Sequence, residues 1–132
     1  MPQIYVMIAP KVKGVVVPKL DELDRLITNA VVDAFGRDVA GDVSCTAVET
    51  LYVRDDGDVQ IEIRYTAGGD EYRTGRMFDP GQEQMDFLVR LINGAMETLF
   101  SGTSMNTYSV WIIPFRGTVF HYQAVPLPQP KC

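Results

Sequence analysis

A chain of 132 residues with 46% hydrophobic and 22% charged residues has the size and balance of one ordinary globular domain. Its formal net charge of −5 argues against nucleic acid or an anionic membrane surface as the main partner, because both require clustered cations. With one histidine and two distant cysteines, Cys45 and Cys132, it has neither metal-ligand spacing nor a disulfide framework. A reduced, cytoplasmic setting without metal or cofactor is therefore expected. No cationic start leads into a signal-like apolar run, and no apolar stretch of 18 residues is present to span a bilayer.

Taken in order, Ile4, Val6 and Ile8 alternate with Tyr5 and Met7. All five are apolar, which predicts a central strand buried on both faces. Pro10 ends it, and Lys11 to Val17 reads as a loop or a short edge strand. Pro18 sits at a first helical position, and Leu20, Leu23, Ile27, Ala30, Val31 and Ala34 follow at helical spacing. Asp21, Glu22 and Asp24 complement the positive end of that helix dipole, and Gly36 closes it.

Cys45 to Arg54 reads as a strand turning at Asp56-Gly57 into the alternating strand Val59 to Thr66. Gly68-Gly69 then returns Glu71 to Met77 as a third antiparallel strand. Two-residue loops fix register, so Glu49 is expected opposite Arg64 and Arg64 opposite Arg73. The other face would align Val48 with Tyr65 and Tyr72, and Tyr52 with Ile61. Asp79 is the expected cap of a second helix, with Pro80 at its first position and Gln82 reaching back. Its buried stripe is Met85, Leu88, Leu91, Ile92, Ala95, Met96 and Leu99, with Gly102 as terminator. Tyr108 to Ile113 is an aromatic and branched strand, and Thr118 to Gln123 a further extended piece. Residues 126–132, with Pro126, Pro128 and Pro130, form a proline-rich tail behind a single domain spanning 1–125.

The expected fold class is α+β: two strand-helix-strand halves forming a mixed sheet, with both helices packed on one face. Each half starts on a strand, passes through a Leu-containing helix and returns on a strand, so an internal repeat is expected in structure although residue identity between the halves is weak.

Pro2, the apolar strand behind it and the two strand-helix-strand halves resemble the tautomerase superfamily, in particular its longer subunits such as 5-carboxymethyl-2-hydroxymuconate isomerase. Gly75-Arg76-Met77-Phe78, leading into Gln82-Glu83-Gln84, is similar to the strand-to-helix passage of that group. The resemblance spans the architecture of nearly the whole chain and rests on few residues. It implies an amino-terminal proline acting as general acid and base, arginines holding a carboxylate-bearing substrate, no cofactor, and assembly as a homo-oligomer, trimer or hexamer, with the trimer favoured. Pro2 would be the base and Arg76 the best-matched substrate arginine, joined by Arg64 or Arg73. The extra hairpin arm from Gly69 to Met77 and the position of Arg54 beside a turn depart from the pattern.

The residues support the chemistry in principle. Methionine is commonly excised before proline, and the freed α-amine titrates near pH ~8, lower when enclosed by apolar side chains. Against this stands the plain reading of Met-Pro as the start of a strand. Arg64 and Arg73 serve either a ligand carboxylate or a solvated ladder with Glu49, Glu62 and Glu71. His121 is either a proton shuttle or a packed strand residue. Trp111, Phe115, Phe120 and Tyr122 serve either the core or a subunit contact. The alternative to an isomerase is a non-catalytic, homo-oligomeric or protein-binding module of the same fold.

Overall fold

The computed structural model describes residues 2–37, 43–50, 58–66 and 80–115. Its elements are β1 (Gln3–Ile8), a run of short helical turns (Pro10–Val12, Lys13–Val16 and Val17–Lys19), α1 (Leu20–Phe35), β2 (Ser44–Glu49), β3 (Val59–Thr66), α2 (Gln82–Phe100) and β4 (Tyr108–Phe115). The sheet order is β2-β1-β3-β4: β1 is parallel to β2, β3 is parallel to β4, and the two central strands are antiparallel. This is the mixed-sheet α+β fold expected from the sequence.

The helices follow from their apolar spacing. Leu23, Ile27, Ala30, Val31, Ala34 and Phe35 of α1 and Leu88, Ile92, Ala95, Met96, Leu99 and Phe100 of α2 are buried. They cover one sheet face, whose side chains are Ile4, Val6, Ile8, Val59, Ile61, Ile63 and Tyr65. Gly36 ends α1 at φ +104°, a conformation that a Cβ would strain. Lys19 Nζ donates to the Leu99 carbonyl and lies 5.5 Å from the Phe100 ring, a cation at the negative end of α2. At the other end of the helix pair, Gln84 Nε2 donates to the Ala34 carbonyl at 3.4 Å, so α1 and α2 run antiparallel.

The buried positions show the internal repeat. Leu23 and Leu88, Ile27 and Ile92, Ala30 and Ala95, and Phe35 and Phe100 are identical pairs at one offset of 65 residues, and Val31 with Met96 and Ala34 with Leu99 complete the set. The same offset carries Cys45 onto Val110. Because Cys45 pairs with Ile4 and Val110 with Ile61, β1 superposes on β3 with Ile4 on Ile61 and Gln3 on Gln60. A pseudo-two-fold axis between β1 and β3 thus relates the halves and places both helices on one face. By the same relation Pro2 corresponds to Val59.

Four expectations change. β2 does not form a hairpin with β3. It lies parallel to β1, so Glu49 is beside Ile8 and Arg64 beside Gln3, with β1 between them. The more continuously apolar β1 takes two neighbours, whereas the polar β2 needs only one. β1 is buried on one face only, because both helices lie on that side: Gln3 is exposed, and Tyr5 and Met7 are half-buried. Lys11 to Val17 is helical rather than looped or extended. Finally, α2 is capped at Gly81, with Gln84 rather than Gln82 reaching back to its backbone N–H at 2.8 Å. The turns at Asp56-Gly57 and Gly68-Gly69, the strands at 71–77 and 118–123, Asp79, His121 and the tail lie outside the described residues.

Asp58 is 2% exposed and ties the far end of the sheet together. Its carboxylate accepts from Lys11 Nζ at 2.8 Å and from the Asn106 backbone N–H at 2.9 Å, and these bonds hold it below the usual carboxylate range. A carboxyl whose folded value is depressed stabilises the fold above its unfolded value near ~3.9, and that contribution is lost as pH falls through the folded value. Asp58→Asn is therefore expected to lower stability at pH 7 and to flatten its decline below pH ~4. Urea titrations across that range check this, and an unchanged acid limb would contradict it.

Candidate functional site

The amino-terminal end of β1 holds two of the four residues singled out from the sequence, Pro2 and Arg64. Pro2 is buried, and its carbonyl accepts from the Ser44 backbone N–H at 3.3 Å, which fixes the chain one residue before the strand. The β1–β3 ladder pairs Gln3 with Arg64, so one further step brings Pro2 opposite Tyr65. Tyr65 is 4% exposed and packs edge-on against Phe35, with ring centroids 5.3 Å apart at 63°. With Ile4 and Ile63 on the same sheet face, this end of β1 has a wall of aromatic and branched side chains. Such surroundings disfavour a charged amine and lower its pKa.

Arg64 occupies the same end but the open face. Its Nε and Nη2 donate to Glu62 Oε2 at 3.0 and 2.5 Å, and its guanidinium lies 4.5 Å from the centroid of the Tyr5 ring. Gln60 Nε2 donates to Glu62 Oε1 at 2.9 Å, so the Glu62 carboxylate is engaged on both oxygens and its side chain is only 12% exposed. The structure thus brings Pro2 and Arg64 to one end of the sheet while engaging Arg64 with Glu62. Arg73 and Arg76 lie outside the described residues. The roles of Tyr65, Phe35 and Tyr5 at this end were not read from the sequence. What brings them to this end is the antiparallel pairing of β1 with β3, which no local pattern in the sequence carries.

A second feature is a cleft of about 120 Å³ between α1 and the edge strand β2, lined in part by Leu20, Asp24 and Cys45. Burial, reinforced by the adjacent Asp24 carboxylate, pushes the Cys45 thiol up to about 12. It is protonated at neutral pH and is a poor nucleophile. Among the described residues no group of three His, Cys, Asp or Glu side chains could hold a metal ion, and no helix is long and apolar enough to cross a membrane.

No protein-family model and no curated protein matches the chain. Solved structures do. The F6 fused 4-OT, an asymmetric trimer, aligns at 16% identity over 91% of each chain with a TM-score of 0.63. Malonate semialdehyde decarboxylase aligns at 13% identity over 92% of this chain and 91% of its own, with a TM-score of 0.56. MIF2 of Leishmania major aligns at 7% identity over 92% and 93%, with a TM-score of 0.52. At these identities the likeness is one of fold: a four-stranded mixed sheet with two helices.

Proposed function

We propose that this chain is a cofactor-independent, tautomerase-like isomerase in which Pro2, freed by removal of Met1, is the general acid and base for a small keto or enol carboxylic acid. The observation that carries the reading is the burial of Pro2 at the end of β1 opposite Tyr65, within a tautomerase-superfamily fold. The amine takes a proton from the carbon beside the substrate carbonyl and returns it to the enolate oxygen, or the reverse. Arg76, with Arg64 or Arg73, neutralises the substrate carboxylate and the developing enolate. The proposal extends to the finer resemblance, to longer-subunit isomerases such as 5-carboxymethyl-2-hydroxymuconate isomerase, which rests on Pro2 and the Gly75-Arg76 match in the sequence. Decarboxylation or hydration belongs to the same reading, since a structural neighbour has decarboxylase and hydratase activities. A cytoplasmic location fits two cysteines without the spacing of a disulfide framework. Intact-mass measurement tests the mechanism at its premise: full retention of Met1 in an active preparation would sink it.

The reading includes a homotrimer. Trp111 is 48% exposed on the open sheet face, beside Glu62 in register, with half-buried Ile113 on its own strand and half-buried Tyr5 and Met7 on β1 beyond the polar side chains of β3. Such an aromatic face suits subunit contact, and structural neighbours are trimers. Trp111→Glu, which places a charge on that face, is expected to shift the protein from three chain masses to one in sedimentation velocity. An undisturbed trimer would remove this face from the interface. The non-catalytic module of the same fold is favoured by one observation, the engagement of Arg64 by Glu62 rather than by an open pocket. It predicts no turnover of any enolisable acid.

A further inference from the structure

The pseudo-two-fold axis gives the Pro2 end a counterpart. Val59 stands where Pro2 stands in the other half, and the residue before it is Asp58. At this second end the carboxylate of Asp58 is held by Lys11 Nζ at 2.8 Å on one oxygen and the Asn106 N–H at 2.9 Å on the other. These donors come from the turn after β1 and the approach to β4, so the anion is gripped by both halves of the molecule.

We infer that this end of the sheet is an anion cradle whose ligand is the protein's own Asp58 carboxylate, and that it accepts a small free carboxylate once Asp58 is removed. The backbone of Asp58 is fixed without its side chain: its N–H donates to the Thr107 carbonyl at 3.0 Å and lies 3.3 Å from Thr107 Oγ1, while its carbonyl accepts from Ala9 N–H at 2.9 Å. Truncation to alanine therefore leaves the chain in place. It also leaves the Asn106 N–H, the Lys11 ammonium and a space the size of the missing carboxylate. The Lys11 side chain is 74% exposed, which gives the space a route from solvent. Formate matches the group that alanine lacks in shape and charge. The inference goes beyond the proposed isomerase activity and is independent of it, since neither Pro2 nor the state of Met1 enters.

The test uses the full chain as Asp58→Ala, heated in sodium formate, in sodium chloride of equal ionic strength, and in formamide as the neutral isostere. The substitution is expected to lower Tm by roughly 10 °C, from the loss of two charge-assisted hydrogen bonds to a buried carboxylate in a domain of this size. Formate is expected to restore about half of that loss where chloride and formamide restore little, after subtraction of the wild-type response. In Asp58→Ala/Lys11→Met the formate-specific gain is expected to vanish. Equal recovery in chloride, or an undiminished formate gain without Lys11, overturns the inference. Should Asp58→Ala refold poorly, refolding yield in formate against chloride gives the same comparison, and equal yields count against it.

Discussion

Pro2→Ala is expected to lower turnover of an enolisable keto acid by about 10²–10⁴-fold, the usual contribution of a positioned general base. Alanine is small enough for Met1 to be removed as before, so the comparison changes the base and not the processing. The fold should persist, because Pro2 contributes only its carbonyl to the ladder and alanine supplies the same carbonyl to Ser44. The residual amine is primary and loses the ring that fixes its direction beside Tyr65. In the unsubstituted protein the apolar wall of Ile4, Ile63, Tyr65 and Phe35 should bring the amine below its ordinary value near ~8. A base acts in its deprotonated form, so kcat/KM should rise with pH through that lowered value and level off above it. The same rate in Pro2→Ala, with Met1 absent from both proteins, would end the proline-base reading.

The largest effect on stability is expected at the sheet centre. Ile61 is fully buried, flanked by Val6 on β1 and Val110 on β4, and shares one cluster with the apolar stripes of both helices. Ile61→Ala should cost about 2–5 kcal/mol, the sum of lost transfer energy and a cavity that the surrounding sheet cannot collapse. Ile4, its counterpart across the pseudo-two-fold axis and equally enclosed, should cost a similar amount. Urea unfolding of the two variants should show lowered midpoints with unchanged slopes. A cost below about 1 kcal/mol at either position would mean that the core is not shared between the halves.

The helices could be read closely from the sequence because their signals are local. The apolar spacing from Leu23 to Ala34 and from Leu88 to Leu99 identified the buried faces, and Gly36 marked the end of α1. The four strands of the described sheet were also visible as alternating or branched runs. Pro2 and Arg64 were found as residues of interest, one by its place beside Met1 and the other as a charge on an alternating strand. Strand pairing is where sequence and structure part: two-residue loops place Arg64 opposite Glu49, whereas the sheet places it opposite Gln3.

The difference in strand pairing has a physical origin. Residue type and spacing establish which segments are helices and strands and which side of each helix is apolar, because those properties repeat every 3.6 or 2 residues along the chain. They also established the α+β class. The neighbour of a strand is a different kind of quantity. It depends on loop closure and on burial summed over the whole molecule, and β1 outcompetes β2 for the place beside β3 because Ile4, Val6 and Ile8 together face both helices. The open face of Tyr5, Met7 and Trp111, the Glu62–Arg64 pair upon it and the closure of the second end by Asp58 all follow from that pairing. They join residues distant in sequence, and folding alone brings them within a few ångströms.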